Sequence, residues 1–336
     1  MEIDITNYNA TRWLRNDAKG HYESFWLRAN HPTRALAFWI RYTLFSPKGR
    51  PQDAIGELWA IWSDGEKGVL TAVKREVPIS DCRFSSDRFD VSVADSVLQA
   101  AHSKGWADTK GHRIEWDLHF GDGQKPLFHL PLSLYSKPLP KAKSLVGTPL
   151  AAFNGQMSVD GETMTIENWI GSQNHNWGSQ HTDHYAYGQV AGFDNAPDSF
   201  LEIATARIRL GPWWTPWMTP LVLRHDGEEF ALNTIGQAFR AKAAFNYFDW
   251  HFAAENRSVR IEGHIHAKKE NFVGLRYYNP SGGDKCCLNS KLAACELTLI
   301  DKRRDKPTTQ LLHTTHRAAF EILSDDFIEH GVAVRA

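Results

Sequence analysis

The sequence predicts a mainly β protein, arranged as two tandem antiparallel β-barrels with few short helices. Three observations carry that reading. Segments rich in β-branched and aromatic residues recur along the chain. Gly, Pro, Asn and Asp punctuate them at short intervals, as in sandwiches and barrels. An internal echo then separates "RIEWDLHF" at Arg113 from "RIEGHIHA" at Arg260, an offset of 260 − 113 = 147 residues. In a chain of 336 residues that is close to half the length, as two tandem units require.

The strand signals fall at 35–45 (ALAFWIRYTLF), 56–64, 113–120, 184–193, 200–210 and 258–267. Helical periodicity is weak and confined to 91–105 and 316–327. The run "LPLSLYSKPLPKAKSLVGTPL" (130–150) holds four prolines and reads as a linker, because proline removes ladder donors. The expected units are therefore an N-terminal barrel over 1–145 and a C-terminal barrel over 146–336.

Composition excludes several functions. A formal net charge of −1 gives no global pull towards nucleic acid or anionic membrane. No stretch has the length of a membrane span, so stable insertion is not expected. The start "MEIDITNYNATRWLRND" lacks a basic segment followed by an apolar run, and four cysteines without zinc-type spacing are too few for a disulfide scaffold. A cytoplasmic, reduced protein is expected. Dinucleotide, P-loop and GxSxG patterns are absent, so no cofactor is expected. The 13 Trp suit aromatic-lined cavities as well as cores.

The chemistry concentrates in "SQNHNWGSQHTDHYAYGQ" (172–189), with His175, His181 and His184 among aromatic and amide residues. In a strand, His181 and Asp183 share a face that His184 does not, so three metal ligands do not converge. "HIHAKKE" offers His264, His266 and Glu270, but two strand histidines beside Arg260 and Glu262 explain it more simply. No metal is expected. Asn176-Trp177-Gly178 reads as a turn. His175 and Trp177 share one face of extended chain, as do Tyr185, Tyr187 and Gln189 on the strand that follows. Such a surface is apolar in area with a few placed donors, the make-up of a small-molecule pocket. A hydrogen-bonded hairpin closing a barrel end is the structural alternative.

The segment "GSQNHNWGSQHTDHYAYGQVAGFD" resembles the His-Asn-Trp-Gly hairpin of the lipocalin-like superfamily of AttH-like proteins and carotenoid 1,2-hydratases, with tocopherol cyclases and Diels–Alderases as distant relatives. "RYYNPSGGDKCCLNSKLAACELTL" resembles its final strands. The resemblance implies two lipocalin-like (calycin) barrels and a hydrophobic ligand cavity. It also implies that His175 and Trp177, with an acid on the following strand, add water to a C=C bond. The acid on that strand is Glu202; the family's Tyr-x-Asp spacing occurs later, at Tyr247-Phe248-Asp249, which makes Asp249 the second candidate.

Protonating an alkene requires a carboxylic acid kept neutral near pH 7, and burial in an apolar barrel does this. Aromatic rings then stabilise the cation. Catalysis is accordingly expected at His175, Trp177 and Glu202, with substrate held by Tyr185, Tyr187, Gln189, Trp214, Trp217 and Asp249. Trp214 and Trp217 belong to "GPWWTPWMTP" (211–220), read as a lid over the cavity or a plug between the barrels, or else a transient membrane contact. The expected partner is a hydrophobic, terpenoid or polyketide-like small molecule that is hydrated, isomerised or cyclised without a cofactor. A non-catalytic lipophile carrier is the alternative.

Overall fold

The computed structural model describes residues 7–303 and 305–336. Two large curled sheets account for most of them. The first is formed by β1 (His21–Asn30), β2 (Leu36–Ser46), β3 (Ile55–Asp64), β4 (Val69–Pro78), β5 (Cys82–Phe84), β6 (Asp90–Val93), β7 (Ser96–Gln99), β8 (His102–Thr109), β9 (His112–Gly121), β10 (Leu127–Phe128), β11 (Ala142–Val159) and β12 (Glu162–Gly178). The helical turn α1 (Leu132–Tyr135) precedes β11. The second sheet is formed by β13 (His184–Phe193), β14 (Ala196–Arg207), β17 (Leu221–His225), β18 (Glu228–Leu232), β19 (Lys242–Phe245), β20 (Asp249–Glu255), β21 (Val259–His266), β22 (Val273–Tyr278), β23 (Asp284–Asp301) and β24 (Thr308–Ser324). A small ribbon, β15 (Arg209–Leu210) with β16 (Trp213–Trp214), and helix α2 (Ile235–Arg240) lie between these strands in sequence.

The first sheet runs β4-β3-β2-β1-β12-β11-β9-β8-β7-β6-β5, and the second β18-β17-β14-β13-β24-β23-β21-β20-β19. Each wraps its own core, the first around Phe25, Phe38, Leu58, Trp116 and Phe153. The second closes on Ile203, Leu223, Trp250, Ile261 and Phe320. A third apolar cluster joins Trp39, Trp59 and Ile61 of the first sheet to Leu275, Tyr277 and Leu323 of the second. The mainly β architecture expected from the sequence is therefore present.

The echo sits on equivalent strands: β9 and β21 each pair with the first arm of the long hairpin of their sheet, β11 and β23. In both copies the arginine pairs with the glutamate two residues on, Arg113 with Glu115 and Arg260 with Glu262.

Four sequence expectations are corrected. Residues 91–105 contain β6, β7 and the start of β8, not a helix, since Val91, Val93 and Leu98 alternate into the first core. Residues 316–327 mostly continue β24, because both faces of this strand are covered. Phe320 and Ile322 enter the second core, while Glu321 and Leu323 face the first sheet. The proline-rich run is not simply a linker, for β11 begins at Ala142 and carries Pro149 at a bulge, where a missing donor is tolerated. The change of sheet consequently falls between Gly178 and His184, not at 145/146, and the His-Asn-Trp-Gly motif belongs to the first sheet.

Candidate active site

The motif does not form a turn. Asn174 to Gly178 complete β12, flanked by β1 on one side and β11 on the other. Gly178 is needed for close approach, because a Cβ there would lie 2.4 Å from the Lys141 carbonyl oxygen. The reversal comes later, between Gly178 and His184. Period-2 alternation then decides which motif residues face what. Asn174 and Asn176 face a cavity of about 140 Å³ between the sheets, whereas His175 and Trp177 point the other way.

His175 is fully buried in the first sheet and stacks on Phe25, ring centres 4.0 Å apart. Its Nε2 donates to Glu23 Oε1 at 2.8 Å. Burial pushes the His175 imidazole down to about 4, against the opposing pull of Glu23. Burial also works to raise Glu23, but hydrogen bonds from His175 and His21 outweigh it and hold this carboxylate well below the usual range. Trp177 packs with Tyr135 and Leu145 beneath the Arg12 guanidinium, 3.9 Å from its ring centre. These two residues build the first sheet's interior and do not line the cavity.

On β13 the alternation runs the other way. Ala186, Gly188 and Val190 face the second core, where a Cβ on Gly188 would meet Ile265 at 2.5 Å and Trp250 at 2.9 Å. Tyr185, Tyr187 and Gln189 lie on the opposite face, and both tyrosines line the cavity. Antiparallel register sets Glu202 of β14 opposite Gln189, and Glu321 of β24 opposite Tyr187. Both carboxyl groups line the cavity.

Glu202 is 2% exposed. Gln189 Nε2 donates to its Oε2 at 2.9 Å, and the Tyr187 hydroxyl donates to the same oxygen at 3.2 Å. Burial raises its pKa to about 8, more than these hydrogen bonds lower it. With both donors on Oε2, the acid proton belongs on Oε1. Gln189 is itself oriented, since its Oε1 accepts from Ser172 Oγ at 2.7 Å and from Arg28 Nη1 at 3.1 Å. Arg28 also donates to the backbone oxygens of Gln189 and Arg317, so this fully buried side chain ties the two sheets together behind Glu202.

Glu321 is ion-paired. Lys291 Nζ donates to its Oε1 at 2.6 Å and Asn289 Nδ2 donates to the same oxygen at 2.9 Å. Lys291 is 1% exposed, and burial lowers its pKa. Aromatic groups complete the cavity. Trp26 meets Tyr187 edge-on at 6.1 Å, and His181 stacks on Tyr22 at 3.9 Å. Burial, then the nearby Arg41, pushes His181 down to about 3, so it is a neutral ring.

The remaining sequence candidates lie elsewhere. Asp249 is on β20 and does not line this cavity. Its Oδ2 accepts from His264 Nε2 at 2.7 Å, and its Oδ1 lies 3.2 Å from His251 Nε2. The two imidazoles stack 4.0 Å apart at 8°, and the three residues bring one possible ligand atom each within 4.8 Å of one another on a partly exposed sheet face. In the other grouping of this kind among the described residues, His102, Asp117 and His119, Asp117 already holds Lys104 at 2.8 Å. Trp214 and Trp217 flank Arg207, at 4.4 and 4.6 Å from its guanidinium. Trp213 is 76% exposed, so this segment is not a plug between the sheets.

Sequence reading missed Glu321, Trp26 and Arg41. Glu321 carried a signal, a single acid inside the apolar run "AAFEIL", which a strand assignment would have brought out.

A two-sheet β protein with a buried, neutral carboxylic acid in an aromatic cavity is the class defined by this fold and site. Residues 140–323 match the Tocopherol cyclase-like family, and the chain belongs to that family. An uncharacterized protein of Mycobacterium tuberculosis is 22% identical over 306 residues, covering 86% of this chain and 83% of that protein. Among solved structures, an AttH-type protein of Nitrosomonas europaea has a TM-score of 0.57 at 10% identity, covering 91% of this chain and 92% of that one. The structure of CghA with Sch210972 gives 0.56 at 11% identity, covering 92% and 90%. Kievitone hydratase from Nectria haematococca gives 0.51 at 9%, covering 91% and 89%. These likenesses show the fold. No helix among the described residues is long and apolar enough to cross a membrane.

Proposed function

We propose that the protein is an acid–base enzyme acting on an alkene-containing hydrophobic molecule, by hydration, isomerisation or cyclisation in the cavity between the sheets. The observation that carries this reading is Glu202, buried and neutral near pH 7, in a cavity that also holds the ion-paired Glu321. Two carboxyl groups in environments this different, one among neutral donors and one against a lysine, can divide the roles of acid and base. Membership of the Tocopherol cyclase-like family and fold likeness to kievitone hydratase support chemistry of this kind.

In the proposed reaction Glu202 Oε1–H gives its proton to one alkene carbon. A C–H bond forms, the π bond is lost, and the neighbouring carbon becomes cationic. Trp26, Tyr22 and Tyr187 face that charge from a site with little water. The cation is then captured by water or by an internal nucleophile, or it loses an adjacent proton to restore a double bond. Glu321 accepts the proton released, and Lys291 stabilises both of its states through the ion pair. Proton exchange returns Glu202 to its acid form. Tyr187 and Gln189 orient the acid, and Tyr185 shapes the cavity. His175 and Trp177, on the far face of β12, support this wall as structural residues.

The test is incubation in D2O with a panel of terpenoid and polyketide-derived alkenes, analysed by mass spectrometry. Hydration adds one carbon-bound deuterium and one hydroxyl; cyclisation or isomerisation adds deuterium alone. Glu202→Gln must abolish incorporation. A carrier would bind members of the panel and return them without deuterium.

A further inference from the structure

The cavity contains a cation that the acid–base reading does not use. Arg41 of β2 is 5% exposed and lines the same space as Glu202. Its surroundings are unusual for a buried guanidinium, which normally has a carboxylate or a full set of acceptors. Arg41 Nη2 donates to Ser24 Oγ at 2.7 Å, while its Nε has no acceptor. Among the described residues no carboxylate oxygen lies within 4.0 Å of it. The two acids whose charge acts on Arg41 are each held by a lysine, Glu57 by Lys74 at 2.7 Å and Glu321 by Lys291 at 2.6 Å. Lys74 is shared between Glu57 and Glu76, so Arg41 lacks a direct carboxylate partner although acids stand nearby. The Tyr277 ring lies 4.4 Å from the guanidinium carbon and covers one face of this group, but a ring is not a counter-ion.

Arg28 provides the internal comparison. It too is fully buried without a carboxylate, yet its donors reach Gln189 O, Gln189 Oε1, Arg317 O and Asn30 Oδ1. It does not line the cavity. Arg28 Nε lacks an acceptor as Arg41 Nε does, but both terminal nitrogens of Arg28 are engaged by protein oxygens away from the cavity, whereas Arg41 donates to Ser24 Oγ and borders the cavity.

We infer that Arg41 is the receptor for an oxyanion or a strongly polarised carbonyl group of the substrate, so that the ligand is an amphiphile with a hydrophobic body and an anionic head. A guanidinium suits a carboxylate or enolate because its donors form a planar fork. The assignment rests on the proposed function and adds a substrate class to it. It also removes a difficulty. A carbocation formed near a guanidinium with no direct carboxylate partner would be repelled, whereas an anionic head bound there offsets that repulsion before Glu202 releases its proton. The head would lie beside Arg41, His181 and Tyr277, with the body directed towards Trp26 and Glu202.

The test uses 2-naphthoate, its neutral analogue 2-naphthamide and the cation 2-naphthylmethylammonium, with binding measured by calorimetry on the full chain. Wild type is expected to bind naphthoate at least 10-fold tighter than naphthamide and to reject the cation. Arg41→Met should erase the difference between naphthoate and naphthamide, and Arg41→Lys should keep part of it. If Arg41 only packs against Tyr277 and Ser24, the Met variant loses thermal stability while that ratio stays unchanged, which overturns the inference. Equal wild-type affinity for acid and amide, or no binding of either, overturns it as well. Binding of these probes needs no turnover, so the result stands apart from the fate of Glu202→Gln in the deuterium assay.

Discussion

Glu202 and Glu321 reach one cavity from strands on opposite sides of β13, Glu202 opposite Gln189 and Glu321 opposite Tyr187. Two strand spacings and a two-residue offset put their backbones roughly 12 Å apart, on one face of the sheet. Each carboxyl group is anchored through one oxygen, Glu202 by neutral donors and Glu321 by an ammonium. In the proposed reaction that difference in partners gives Glu202 the role of acid and Glu321 that of base.

Glu202→Gln keeps the shape and both neighbours but cannot donate an acidic proton. Turnover is expected to fall by about 10² to 10⁴, the usual contribution of a positioned acid. Substrate affinity should change little, and steady-state kinetics on any substrate from the deuterium screen checks both.

Activity should decline as pH rises through about 8, where Glu202 loses its proton. The same group links stability to pH. Its folded pKa lies above the ordinary carboxyl value, so its contribution is fully present below about 4.5 and is lost as pH rises through about 8. Between those values the native state holds the extra proton. Denaturant melts at pH 5 and pH 9 should show Glu202→Gln gaining on wild type at the higher pH, by on the order of a few kcal/mol.

Gln189→Leu removes a donor that favours the Glu202 carboxylate. The alkaline limb of the rate profile should therefore move upward. A purely structural role for Gln189 would lower stability and leave the limb in place.

Lys291→Met strands a buried carboxylate at Glu321, at a cost of about 3 kcal/mol or more. Adding Glu321→Gln should recover most of that stability without restoring turnover. A double-mutant cycle read by melting and by rate separates the two effects.

His175→Ala tests the role implied by family resemblance. Because His175 contacts Glu23 and Phe25 rather than the cavity, the variant should lose about 3 kcal/mol of stability. Its turnover at a temperature where it is folded should stay within several-fold of wild type. A catalytic role would reverse that pattern.

Much of this was legible in the sequence, in ways that follow from strand physics. The shared face of Tyr185, Tyr187 and Gln189 was legible because an alternating strand shows its faces directly, and Glu202 stands opposite Gln189 on the next strand. His175 and Trp177 were misplaced because Asn-Trp-Gly reads locally as a turn, while Gly178 serves a close backbone approach that only the paired strand reveals. Asp249 shares a Tyr-x-Asp spacing with the family, but its strand lies four places from β13 across the second sheet. Glu321 was missed because a strand covered on both faces loses its alternation and resembles a buried helix. Arg41 gave no signal, since "WIRY" says nothing about which nearby acids are already paired.

The most direct measurement is the protonation state of Glu202 itself, by infrared difference spectroscopy of wild type against Glu202→Gln between pH 6 and pH 10. A protonated-carboxyl carbonyl band is expected at pH 7, absent from the variant and titrating away near pH 8. A wild-type spectrum at pH 7 with only the carboxylate bands at this position would contradict it, because the cavity would then hold no acid to start the reaction.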